Sequence, residues 1–144
     1  MTSESISVLQ PQDPSLLSQD LAYQMTMTAA IVADDRKAED ILILAIGEVS
    51  VLAEYFVIAT GFSKAQVRAI ANAIEGKLSE DFNRVPRRTA GESEATWILQ
   101  DYGDVMVHIM MPTERKTYEL EAFWGHAPKV ALPEKQLVEQ LTNS

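Results

Sequence analysis

The segment from Tyr55 to Leu78 restricts the folds open to this chain more than any other. Tyr55 to Ala59 is an unbroken apolar run, short enough for a strand and apolar enough to be covered on both faces. Gly61-Phe-Ser63 then turns the chain into a helix. Ser63 and Gln66 have capping-box spacing, and Val67, Ile70, Ala71, Ile74 and Leu78 repeat at steps of three and four. A strand, a helix of this length and a further strand form a crossover, which makes at least one strand pair parallel. Gly76 inside the helix costs about 1 kcal/mol of propensity relative to alanine, which predicts a close packing contact there.

The flanking segments extend this unit. Leu21, Met25, Ala29 and Val32 recur at helical spacing from about Ser18 until Asp34-Asp-Arg-Lys ends the pattern, and Met25 and Met27 read as core filler. Ile41 to Ile46 is a second buried run, joined to Tyr55 by a connection, Gly47 to Glu54, that carries a helical turn. Arg84 to Thr89 reads as a short strand interrupted by Pro86, which suits a sheet edge. Thr113 is placed to cap a last helix in which Leu120, Phe123 and Trp124 point one way, with Gly125 as its stop. Glu134 to Leu141 forms a loose terminal helix on the same reading. The fold class is α/β, a single-domain mixed sheet flanked by helices: residues 1–17 are a flexible lead-in, 18–128 the domain and 129–144 a C-terminal tail.

Trp97-Ile-Leu-Gln-Asp-Tyr-Gly-Asp-Val-Met-Val-His-Ile-Met110 reads as a hairpin. With Tyr102 and Gly103 as a two-residue turn, Asp101 lies opposite Asp104, Leu99 opposite Met106 and Trp97 opposite His108. Trp97, Leu99, Met106 and His108 then share one face, while Ile98, Val105, Val107 and Ile109 share the other. The second face reads as core. The first mixes apolar residues with His108, Asp101 and Asp104, the pattern of a surface buried by a partner or by this chain's own helix.

At 144 residues and 47% hydrophobic content the chain suits one domain with a substantial core. With no cysteine it has no disulfide framework, thiolate metal site or cysteine nucleophile. Its formal charge of −9 argues against a generic phosphate-backbone binder and favours a basic protein partner. No apolar run approaches the ~20 residues needed to span a bilayer. The first residues lack the basic start and apolar core of a secretory signal and the arginines of a transit peptide, so a cytoplasmic location is expected.

Catalytic motifs are sparse. Gly61-Phe-Ser63 could gather backbone N–H groups around an anion, but the same residues are needed to turn the chain and cap the helix. Neither a Walker-type Gly-Lys-Ser nor a Gly-x-Gly-x-x-Gly pattern accompanies them. Asp101 and Asp104 sit on a turn tip, where Asp is a routine turn former, and no third carboxylate converges on them in the sequence. His108 lacks a sequence neighbour that would mark it as a base. No metal or cofactor is expected. Arg84, Arg87 and Arg88 form the densest basic cluster, either a charge-protected strand edge or a contact to RNA phosphate at the rim of a larger assembly.

Three blocks carry a resemblance to a known family. They are Ala38-Glu-Asp-Ile-Leu-Ile-Leu44 with Leu52-Ala-Glu-Tyr-Phe-Val-Ile-Ala-Thr-Gly61; Ser63 with Gln66-Val-Arg-Ala-Ile-Ala71 and Glu75; and Trp97 through Asp101-Tyr-Gly-Asp104, Val107-His108, Tyr118-Glu-Leu-Glu121 and Trp124-Gly125. In order and spacing they resemble the ribosomal silencing factor family, also called RsfS or Iojap-like. Departures are mild: Glu54 stands where Asp is usual, and Phe62 where a small polar residue is common.

The resemblance implies a nucleotidyltransferase-like fold without catalytic carboxylates, and a protein that is not an enzyme. It further implies binding to the large ribosomal subunit through large-subunit protein number fourteen. The consequences would be a steric block to joining of the small subunit, repression of translation under nutrient limitation, and a homodimer when free. Carried onto this chain, the ribosomal-protein contact falls on Trp97 as apolar anchor, with Ile98, Asp101, Tyr102 and Asp104 around it and Tyr118 and Glu121 at an acidic rim. The alternative is a nucleotide-binding or nucleotidyltransferase enzyme that uses Gly61 to Ser63 with Mg2+ and a nucleoside triphosphate.

Overall fold

The computed structural model describes residues 14–132. The lead-in as far as residue 13 and the helix expected from Glu134 to Leu141 lie outside the described residues. Helix α1 (Pro14–Asp35) leads into strand β1 (Glu39–Leu44), a short 3-10 turn (Ile46–Glu48), strand β2 (Tyr55–Thr60) and helix α2 (Lys64–Phe82). Strands β3 (Arg88–Ala90), β4 (Trp97–Asp101) and β5 (Val105–Met110) follow. Two short helices, α3 (Pro112–Tyr118) and α4 (Leu120–Phe123), then lead to β6 (Lys129–Val130).

The six strands form one mixed sheet in the order β3-β4-β5-β2-β1-β6. The parallel pair demanded by the crossover is β2 with β5, Tyr55 opposite Val105 and Thr60 opposite Met110. Every other neighbouring pair is antiparallel. The charged strand β3 occupies one edge, and the residues after Pro128 return to the sheet as β6 on the other.

Helices α1 and α2 pack on one face. The stripe Val67, Ile70, Ala71, Ile74 and Leu78 is buried against Val57, Ala59, Ile98, Val105, Val107 and Ile109. From α1 the small residues Ala22, Ala29 and Ala33 enter this core with Met25, letting the helix lie close to the sheet. Met27 turns the other way, joining Ala30 and Ile43 in a satellite cluster. Ser63 caps α2, its Oγ accepting from Gln66 N–H at 3.0 Å. The Gln66 side chain accepts from Phe62 N–H at 2.7 Å and donates to the carbonyls of Arg36 and Lys37, fastening α2 to the end of α1.

Three local expectations are corrected. A Cβ on Gly76 would meet nothing within 4 Å, so no close contact explains that glycine. The last helix is capped by no side chain. Met111 precedes Pro112 at its N-terminus, and the helix breaks at Glu119, whose left-handed φ of 45° turns the chain before Leu120. Leu120 and Trp124 pack on the sheet, whereas Phe123 points away and is 71% exposed.

The hairpin register differs by two residues from the expected one: Trp97 pairs with Met110, Leu99 with His108 and Asp101 with Met106. The turn is longer because Asp101 Oδ1 accepts from Gly103 N–H at 2.8 Å, and Tyr102 N–H closes it on the Val105 carbonyl at 2.9 Å. A slip of two keeps every side chain on its face.

Candidate docking face

The sheet face away from α1 and α2 is built from alternate residues of four strands: Leu42 and Leu44, Phe56 and Ile58, Met106 and Met110, and Trp97. Segment 118–127 crosses it as a strap. Tyr118 lies on Trp97 with ring centroids 4.9 Å apart, Trp124 meets Phe56 edge-on at 5.8 Å, and Ala127 is buried beside them. The cover is incomplete. Trp97, Leu99, Met106, Leu120 and Trp124 stay partly exposed, and Tyr118 is 57% exposed.

Trp97 is the best-defined member of this face. Its indole Nε1–H donates to His108 Nδ1 at 3.2 Å, and the imidazole packs on Phe56 with ring centroids 4.7 Å apart and the planes tilted by 59°. Burial lowers the His108 pKa to about 4, so the ring is neutral at ordinary pH. An accepting Nδ1 puts the proton on Nε2, which is buried and has no hydrogen-bond partner.

Trp97, Tyr118 and Glu121 come together at the Met110 end of the sheet. Glu121 accepts from Arg115 Nε at 2.9 Å, while Arg115 Nη1 donates to Thr60 Oγ1 at 2.8 Å and so ties the strap to β2. Asp101 and Asp104 lie at the opposite end, and both are committed within the chain. Asp101, its side chain 3% exposed, pairs with Arg87 at 3.4 Å and Arg88 at 3.3 Å. Arg84 grips Asp104 at 2.9 Å and donates to the Tyr102 carbonyl at 2.8 Å.

Three arginines face these two aspartates, so the carboxylates expected to surround the Trp97 anchor are engaged by the chain's own cations. Glu54 lies beside this cluster, its pKa raised by burial and by the neighbouring Asp104 charge.

Ile98 and Tyr102 are taken out of the free surface by burial. Strand alternation turns Ile98 under the helices, where it is 2% exposed. Tyr102 is 4% exposed, its hydroxyl donating to Gln100 Oε1 at 3.1 Å, and Gln100 Nε2 donates to the Ala71 carbonyl at 2.8 Å. Burial, reinforced by the charge of Glu75 and only partly offset by Arg84, raises the pKa of that hydroxyl. Sequence reasoning named none of Leu99, Met106 and Leu120 as a contact residue, although it read Leu99 and Met106 onto the mixed face of the hairpin. Alternation placed the first two on the outer face, but their exposure depends on where the strap runs, and no local pattern encodes that.

Ser63, the residue on which a nucleotide site was to rest, spends its Oγ on the α2 cap. A Cβ on Gly61 would come within 3.0 Å of Val67 and 3.3 Å of Ile70, so close packing of β2 on α2 accounts for that glycine. Among the described residues no group of three or more His, Asp or Glu could hold a metal ion, and no helix is long and apolar enough to cross a membrane.

Fold and face define a class: an α/β domain on a mixed sheet, one face sealed by two helices and the other presenting a half-covered aromatic strip. Within that class the chain belongs to the ribosomal silencing factor family. The family model described as "Ribosomal silencing factor during starvation" matches residues 19–144, past Gly125 where the quoted sequence blocks end. The ribosomal silencing factor RsfS of Bacillus subtilis is 45% identical over 100 residues, 69% of this chain and 84% of that protein. The chloroplastic protein Iojap of Zea mays is 33% identical over 126 residues, 85% of this chain and 54% of the maize protein. A crystal structure of a Chromobacterium violaceum protein, 32% identical, superposes over 79% of this chain and 97% of that one with a TM-score of 0.69.

Proposed function

We propose that this protein silences translation by steric exclusion. It docks its outer sheet face on the large ribosomal subunit, at large-subunit protein number fourteen, and so covers a patch that the small subunit needs for joining. The observation that carries this reading is the half-covered strip Trp97, Leu99, Met106 and Tyr118, an apolar surface that the chain's own strap leaves open. Family membership supplies the ribosome as the place to look. Trp97 serves as the central anchor, with Tyr118 and Glu121 beside it, while Ile98 and Tyr102 support the strip from beneath.

Asp101 and Asp104 act here by shaping the hairpin end. Arg87 and Arg88, about two-thirds exposed, remain available to touch ribosomal RNA phosphate at the periphery; Arg84 is held by the turn. Because occupancy alone does the inhibiting, no chemical step is required, and repression follows the free concentration of the protein in the cytoplasm. The free protein is a homodimer in this reading. Sedimentation of purified bacterial large subunits with the wild-type protein, followed by addition of small subunits, tests it. Co-sedimentation with reduced formation of complete ribosomes is expected; failure to co-sediment overturns the reading.

A further inference from the structure

We propose that His108 is a positioning residue for Trp97: its Nδ1 holds the indole by the N–H, so that the docking face presents Trp97 as apolar and aromatic surface alone. This rests on the docking reading above. Trp97 and His108 are diagonal neighbours on the outer face of β4 and β5, since Trp97 pairs with Met110 and Leu99 with His108. Across that diagonal the indole Nε1–H meets Nδ1 at 3.2 Å, and Tyr118 brackets the indole with ring centroids 4.9 Å apart. The only polar group of the anchor is therefore satisfied from within the chain.

The hydrogen-bond accounting of the fold gives no reason for an imidazole at this position. Its Nε2 is buried without a partner, so the ring leaves one donor orphaned for the one it satisfies. A phenyl or isobutyl group would pack on Phe56 and remove the Nε2 orphan, leaving the half-buried indole N–H to water or to a partner. What the imidazole adds is a fixed orientation of Trp97 and the removal of its donor from the surface. A partner then needs no acceptor over the indole. It needs an aliphatic, aromatic or cationic side chain that packs on the ring, which identifies the chemistry that Trp97, Leu99 and Met106 select.

The test compares wild type, His108→Phe, His108→Asn and Trp97→Ala for binding to purified bacterial large subunits. The Trp97 indole N–H resonance is followed by NMR in the wild type and the two His108 variants, assigned with the help of Trp124→Phe. His108→Phe is expected to shift that resonance and weaken binding about tenfold, while His108→Asn, which can offer an oxygen near the Nδ1 position, stays within about threefold of wild type. If wild type binds and His108→Phe binds equally well, the positioning role is overturned while docking stands. If wild type does not bind, docking fails and this role with it. His108→Leu, smaller than Phe, takes the place of His108→Phe should that variant not fold, and equal binding by it overturns the role in the same way.

Discussion

His108 also makes the chain's stability depend on pH in a way that can be isolated. Burial lowers its pKa to about 4, against 6.5 for a free histidine. Between those values the unfolded chain takes up a proton that the folded chain refuses. The contribution is therefore fully present above about pH 6.5 and is lost as pH falls toward 4. A shift of this size corresponds to roughly 3 kcal/mol as an upper figure. Urea unfolding of wild type and His108→Phe at pH 7 and pH 4.5 is expected to show the wild type losing more stability on acidification; parallel losses would contradict the assignment. Two glycines give opposite predictions. Gly76 is exposed on α2 with open space around its Cα, so Gly76→Ala is expected to stabilise the protein by about 0.4–1 kcal/mol in thermal or urea unfolding. Gly91 has φ 83°, and a Cβ there would strike the Trp97 carbonyl, so Gly91→Ala should destabilise by about 2 kcal/mol or more and disturb the start of β4.

The elements whose signals are local were legible in the sequence. The α2 stripe from Val67 to Leu78 and its Ser63 cap, the crossover into a parallel pair, and the two faces of the hairpin all follow from the periods of helix and strand. The hairpin register was not legible, because Asp101 lengthens its turn by accepting from Gly103 N–H, and such a bond leaves no mark in the apolar pattern. Nor was the strap, whose course over the sheet is fixed by distant partners: Arg115 on Thr60, Trp124 on Phe56, and the Pro128 carbonyl accepting from Ala45 N–H. The role of Arg84 lies at the same scale. From the segment after α2 it reaches both Asp104 and the Tyr102 carbonyl, and Asp104 in turn offers its carbonyl to the N–H groups of Glu54 and Tyr55. One side chain thus links the hairpin turn to the entry of β2. Since the pair is only partly buried, Arg84→Ala should cost about 1–2 kcal/mol. A double-mutant cycle with Asp104→Ala should show coupling above about 0.5 kcal/mol, and additive effects would contradict the clamp.

For the molecule as a whole, the division between a sealed face and a half-open one separates stability from binding. Residues under α1 and α2 form the larger core, while Trp97 and Met106 sit at the partly exposed margin of a second, smaller one beneath the strap. At the hairpin end Arg84, Arg87 and Arg88 answer Asp101 and Asp104, with Glu54 alongside, so the charges there are largely spent within the chain and affinity at this face falls to the apolar anchor rather than to a charged rim. Truncating a central tryptophan commonly costs about 2 kcal/mol or more, which is about 30-fold in affinity and falls mostly on the dissociation rate. Trp97→Ala should then require about 30-fold more protein for half-inhibition of subunit joining. At saturating concentration the inhibition should reach the wild-type plateau, because the bound domain still occupies the same volume. A shifted midpoint with an unchanged plateau is the signature of exclusion by occupancy. A lowered plateau at full occupancy would mean that the complex with the variant admits the small subunit, and steric exclusion would no longer account for the silencing.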